Sequence, residues 1–161
     1  MKVIVIGGGA AGMMAAYSSA AGGNETWLIE KNEKLGKKIY ITGKGRCNVT
    51  NTAEDPIRYV VHNSSFLHSA FAAFSQNDLR ALLKRFGCLT KEERGGRVFP
   101  VSDKASDVTK AWTHALREAG VSVELGTRIT EIDSWLNQGA VILATGGKSY
   151  PSTGSTGDGY S

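Results

Sequence analysis

The chain has 161 residues, 41% of them hydrophobic and 21% charged, a balance that excludes a disordered chain and is large enough for one core burying about two thirds of the unfolded surface. No run reaches the roughly 18 apolar residues of a membrane span, and Cys47 and Cys88 lack the CxxC spacing and partner histidines of a zinc site or disulfide framework, which fits a reducing cytoplasm. The formal charge of +4 admits a nucleic-acid partner, but residues 31–46 carry six cations against Glu33 alone, so the excess is local and suits a phosphorylated small molecule at least as well.

The opening Met-Lys and apolar run to Ala21 imitate a signal peptide, yet Gly7 to Gly9 interrupt what would be its apolar region. Val3–Ile6 reads instead as a strand buried on both faces, ended by glycines. Ala10–Ala21 reads as a helix of small residues stopped by Gly22-Gly23-Asn24. Thr26–Ile29 is a second strand ending at Glu30, which completes a βαβ unit with parallel strands. Asp55-Pro56 predicts a short helix toward Val61, and a further helix covers about 65–74. Ser75 to Asp78 matches an N-terminal capping signal before the apolar stripe Leu79, Leu82, Leu83 and Phe86.

Arg97–Pro100 predicts a short strand, and Ser102 precedes a longer helix with Ala105, Val108, Trp112, Ala115 and Leu116 on one face, closed by Gly120. Val121–Leu125, Arg128–Ile132 and Ala140–Ala144 read as strands, with "DSWLNQG" as a hairpin-length loop between the last two. His62, His68 and His114 fall on helical segments without metal spacing, which assigns them to surface or packing.

The twenty glycines form three main clusters, around 7–12, 36–45 and 146–159. Gly7-x-Gly9-x-x-Gly12 has the context that gives a dinucleotide fingerprint meaning: a strand before, a helix after, and Glu30 at the end of the next strand. Gly7 makes the turn, Gly9 admits a pyrophosphate to the helix end, and Gly12 brings helix and sheet together, while Glu30 suits ribose hydroxyls. Neither Gly43-Lys44 nor Gly147-Lys148-Ser149 completes a nucleotide-triphosphate loop, since Lys38 and Ile142 stand where the pattern needs glycine. Taken alone, "GKKIYITGKGRCNVTN" is either a solvated basic loop or an anion cradle, and "STGSTGDGYS" is either a linker or a ligand loop in which Asp158 is the informative residue.

Those two segments, the fingerprint with Glu30, and "GRVFPVSDKASDV" occur in an order that resembles the HI0933-like, or BaiN-like, family of bacterial NAD(P)/FAD-dependent oxidoreductases. The resemblance implies an α/β, Rossmann-like, three-layer FAD-binding fold with a central parallel sheet, filling residues 1–161. It implies FAD as cofactor, NAD(P)H as co-substrate and a small unsaturated organic substrate, with no metal, no membrane and no nucleic acid as partner. The cofactor-binding residues it implies are Gly7, Gly9, Ala10, Ala11, Gly12, Glu30 and Lys31, then Lys37 and Lys38 near the pyrophosphate. Gly43, Gly45, Arg46, Cys47, Asn48 and Asn51 follow along the ribityl chain and ring, and Ile129, Ala144, Thr145, Gly146, Gly157 and Asp158 complete the set. Cys47 is expected to be a packed or flavin-adjacent thiol, not a redox one.

The family pattern also implies a β-rich domain inserted after the TGDG loop, a C-terminal return segment and a β-meander. The first two are absent from these residues and the meander is shortened or missing, so the chain reads as an incomplete FAD-binding domain. Two other readings follow: a non-catalytic FAD-binding fragment, and an RNA-associated flavoprotein using the 31–46 charge.

Overall fold

The computed structural model describes residues 1–53, 63–149 and 156–160, and the helix expected at 55–61, His62 and the stretch 150–155 lie outside them. In chain order the elements are β1 (Lys2–Ile6), α1 (Ala10–Ala21), β2 (Glu25–Glu30), β3 (Thr50–Asn51), α2 (His68–Ala73), α3 (Gln76–Arg85), β4 (Thr90–Glu93), β5 (Arg97–Pro100), α4 (Ala105–Glu118), β6 (Ser122–Leu125), α5 (Asp133–Leu136) and β7 (Ala140–Leu143). They divide into two compact units, Met1–Ile41 with Trp112–Ser161, and Thr42–Ala111, where length alone suggested one core.

The first unit is a four-stranded sheet of order β6-β2-β1-β7 with every pairing parallel. β1 is an inner strand, which is why Val3 to Ile6 are apolar without alternation and all buried. α1 is rich in alanine, which lets it lie close on the sheet, burying Gly12, Met13 and Ala16, and Tyr17 meets Trp112 of α4 edge-on at 6.5 Å. The opposite face holds Ile4, Ile6 and Ile29, with Val141 of β7 beside them, under Ile129, Ile132 and Trp135. Each fully buried isoleucine contributes about 1.5–3 kcal/mol.

That cover corrects two expectations. Residues 128–132 form no strand, and "DSWLNQG" is not a hairpin loop but holds the single turn α5. The physical reason is the period: Ile129, Ile132 and Trp135 recur every three residues, the spacing of turns laid across a sheet and not of a strand within one. Among the described residues no β-meander occupies this layer.

The second unit carries a three-stranded antiparallel sheet of order β3-β5-β4, with the expected strand Arg97–Pro100 in its centre. β4 has the sequence TKEE and pairs on one edge only, so its polarity hid it from pattern reading. The capping box is present as predicted, with the Ser75 hydroxyl accepting from Asp78 N–H and the Asp78 carboxylate accepting from Ser75 N–H at 2.7 Å. Leu83, Phe86, Cys88, Val98, Phe99 and Val108 are its buried interior.

Candidate dinucleotide-binding site

The registers Ile6↔Ile29, Ile6↔Leu143 and Glu30↔Leu125 bring the carboxyl ends of all four strands to one edge of the sheet. The chain leaves β1 toward β2 on one side and pairs with β7 on the other, so the order reverses at β1, the crevice position where open α/β sheets bind ligands. The first and third glycine clusters emerge here.

Gly7 adopts φ +109, and a β-carbon on it would stand 2.4 Å from the carbonyl oxygen of Ala144. One on Gly12 would stand 1.7 Å from the Gly7 carbonyl oxygen. Both positions are therefore closed to side chains by the approach of α1 and β7 to the turn. Gly9 differs: a β-carbon there meets nothing within 4 Å. It is the N-cap of α1, makes no side-chain capping bond and is followed by no acid in the first turn. Ala10 and Ala11 are exposed. An exposed twelve-residue helix end, uncapped by its own chain and free of negative charge, with clear space at Gly9, fits the diphosphate of a dinucleotide.

Glu30 is 7% exposed and faces the turn. Its Oε2 accepts from Gly8 N–H at 2.6 Å, and its Oε1 accepts from the Asn32 backbone N–H at 2.8 Å and from Asn32 Nδ2 at 2.5 Å. Three donors engage a carboxylate with about four acceptor positions, so the residue expected at ribose hydroxyls is first a brace of the glycine turn. Gly8 and Asn32 were missed from sequence, although the run of three glycines was the available signal. Gly8 is buried beneath Leu35, whose Cδ2 would meet a β-carbon at 2.4 Å.

Lys31 donates to Asp158 Oδ2 at 2.5 Å and to Thr156 Oγ1 at 3.1 Å. The pairing with Lys31 is the main reason the Asp158 carboxyl sits below its ordinary value. A β-carbon on Gly159 would meet Thr145 Oγ1 at 2.4 Å, so residues 156–160 lie against the loop after β7. The structure thus brings together the glycine turn, Glu30, Lys31, Ala144, Thr145, Gly157 and Asp158. Gly146 is exposed in the same loop, Lys37 reaches Asn32 Oδ1 at 3.4 Å, and Lys31, Asn32, Glu33, Lys34 and Lys37 line an open cleft of about 530 Å³. Lys38 is exposed, and Ile129 lies instead in the apolar cover of the sheet.

Gly43, Gly45, Arg46, Cys47, Asn48 and Asn51 belong to the second unit. There Gly43 and Lys44 both adopt left-handed backbone, φ 59 and 58, and Cys47 follows at φ 64. Such geometry is costly for residues with side chains and marks a loop held by its surroundings. The Arg46 guanidinium provides part of that hold. It donates to Glu93 at 2.9 Å and to Asp103 at 3.2 Å, and lies 4.0 Å above the Phe99 ring. Asn51 donates to the Gly95 carbonyl and accepts from Ala53 N–H, both at 2.8 Å. Cys47 is buried, and burial pushes its thiol up, as expected of a packed cysteine.

A parallel sheet whose first strand runs through an uncapped glycine turn into a helix, with a braced acid at the end of the second, defines a dinucleotide-binding Rossmann domain. The chain belongs to the HI0933-like family, whose Rossmann domain model matches residues 1–161.

Among characterised relatives, the 3-dehydro-bile acid delta(4,6)-reductase of Clostridium scindens is 33% identical over 84% of this chain and 36% of its own length. The ribosomal RNA dihydrouridine synthase of Escherichia coli is 30% identical over 98% of this chain and 42% of its own, and that of Haemophilus influenzae 28% identical over 98% and 43%. The chain therefore spans about two fifths of the length of these relatives. Among solved structures, Thermovibrio ammonificans THI4 superposes with TM-score 0.53 at 19% identity, over 78% of this chain and 37% of that one. The open conformation of a flavocytochrome c3 fumarate reductase gives 0.52 at 22%, over 91% and 33%. At these identities the likeness is one of fold. No helix among the described residues is long and apolar enough to cross a membrane.

Proposed function

We propose that this chain is the FAD-binding portion of a reductase that moves hydride from NAD(P)H to a carbon–carbon double bond conjugated with a carbonyl. The observation that carries the reading is the exposed α1 end with open space at Gly9, at the crevice where the sheet order reverses. The reaction type is supported by the names of the relatives, since a delta(4,6)-reductase of a 3-dehydro bile acid and a dihydrouridine synthase both add hydrogen across such a bond.

Gly7, Gly9, Ala10, Ala11 and Gly12 would receive the diphosphate. Glu30 holds the Gly8 amide in place and keeps acceptor capacity for a ribose hydroxyl, while Lys31, Lys37 and Lys38 add positive charge. Ala144, Thr145, Gly146, Gly157 and Asp158 close the same edge. The family resemblance also assigns Gly43, Gly45, Cys47 and Asn48 of the second unit to flavin binding, and within that unit Arg46 and Asn51 fix the shape of their loop because their polar groups already hold Glu93, Asp103, Gly95 and Ala53. FAD, when bound, supplies the hydride-carrying ring between nicotinamide and alkene.

The test is flavin uptake by the purified chain, read from its absorbance, followed by NADH and NADPH consumption with a 3-oxo-Δ4 steroid or a uridine-containing RNA. Uptake with alkene-dependent consumption supports the reading. Uptake without consumption supports a non-catalytic FAD-binding portion, and no uptake overturns the proposal.

A second substrate reading, RNA in place of a small molecule, is favoured by the placement of charge. Residues 42–111 hold eleven Lys and Arg against seven Asp and Glu, whereas the first unit holds eight of each, so the whole surplus of +4 lies in the second unit.

A further inference from the structure

Of the six cations that the sequence concentrates at 31–46, two are ion-paired among the described residues. Lys31 is bound to Asp158, and Arg46 to Glu93 and Asp103, with Lys91 on the same two acids. A separate pair of cations open to a polyanion stands on α3. Arg80 and Lys84 stand four residues apart on one face of that helix, about 6 Å along its axis. With Asn77, Ala81, Leu89 and Thr90 they line an open cleft of about 330 Å³ that contains no acid.

Arg80 Nε donates to Thr90 Oγ1 at 3.2 Å, which fixes the guanidinium while its terminal nitrogens have no partner among the described residues. Lys84 is exposed and likewise makes no ion pair among them. Leu89 is 57% exposed, an apolar surface beside two cations. Asp78, the acid on the same helix, is turned back on Ser75 by the capping box.

We propose that the cleft between α3 and β4 binds the phosphodiester backbone of single-stranded RNA. Arg80 and Lys84 hold neighbouring phosphates, Asn77 and Thr90 meet ribose hydroxyls, and Leu89 carries a base. Two cations at helical spacing, hydroxyl and amide groups between them and an exposed apolar side chain are together the complement of a ribonucleotide strand and of no neutral small molecule. The inference rests on the RNA reading given above and deepens it by placing the contact.

The test is fluorescence anisotropy of a labelled, uridine-rich 20-nucleotide RNA with the 161-residue chain at 50 and 200 mM KCl. The wild type is expected to bind with a marked salt slope. Arg80→Glu/Lys84→Glu should lose at least about tenfold in affinity and lower the slope by about 1.4, roughly 0.7 for each phosphate contact, with flavin uptake unchanged. If the double variant fails to fold by circular dichroism, Lys84→Gln alone should lower the slope by about 0.7. A folded double variant or a Lys84→Gln chain that binds like the wild type overturns the site, as does wild-type binding of phosphatidylserine vesicles and not of RNA. RNA binding without flavin uptake would instead sink the flavin reading and leave this one standing.

Discussion

Replacing Gly9 by valine separates ligand binding from folding. The backbone there is at φ −78 and ψ −171, ordinary extended geometry, and the added β-carbon meets no protein atom within 4 Å. As an N-cap, glycine exceeds an aliphatic residue by about 0.5–1 kcal/mol, while removing a glycine from the unfolded chain contributes about 0.4–1 kcal/mol in the other direction. The two nearly cancel, so stability should change by less than about 1 kcal/mol, or about 2–4 °C in Tm for a chain of this size. Binding should respond differently. A diphosphate on helix-terminal amides makes charge-assisted hydrogen bonds of about 1.5–3 kcal/mol each. Losing two of them weakens FAD binding by about 10²- to 10⁴-fold.

Gly12→Ala is the counterpart, because its β-carbon would fall 1.7 Å from the Gly7 carbonyl oxygen and must displace backbone. It should lower Tm well beyond the Gly9 variant. Flavin titration followed by absorbance, with thermal melts of both variants, decides the matter. Wild-type FAD affinity in Gly9→Val refutes the diphosphate assignment, and a melt as depressed as that of Gly12→Ala refutes the open space.

Glu30→Gln should cost about 1–3 kcal/mol in urea unfolding, because an amide supplies one acceptor oxygen where three N–H donors converge and turns its own NH₂ toward the remaining donor; an unchanged midpoint would show that the brace is not needed. Stability should also fall at both ends of the pH scale. Asp78, Asp103 and Asp158 are held below the ordinary 3.8 by Ser75, Lys91 and Lys31 respectively, so their contribution is present above that pH and lost as pH falls through the lowered values. Burial pushes the Cys88 thiol from 9.0 up to about 11, so its contribution is present below pH 9 and lost toward pH 11. An alkaline slope identical in Cys88→Ser would refute the second assignment.

Legibility of the fold in the sequence followed the local strength of each signal. α1 was readable to its ends because Gly9 and Gly22 bracket a run of helix-forming residues, mostly alanine and methionine, and β1 because four apolar residues stop at a glycine. β4 was not, since an edge strand of sequence TKEE is specified by its partner β5 and not by its own pattern. Residues 128–132 misled because Arg-Ile-Thr-Glu-Ile is β-branched, while the spacing of its two isoleucines already matched a turn. At the site, the glycine roles at Gly7 and Gly12 were legible as steric needs. The commitments of Glu30, Arg46 and Asn51 were not, because which donors surround an acceptor depends on residues two to 57 positions away.

The sheet order has a consequence for synthesis. β1 is translated before both of its neighbours in the sheet, and β7, one of the two, follows about 130 residues later. At about 5–20 residues per second the backbone donors and acceptors along one side of Val3–Ile6 wait roughly 7 to 26 seconds for their complement. During that interval the nascent chain presents an apolar edge without its partner, a surface open to chaperone contact.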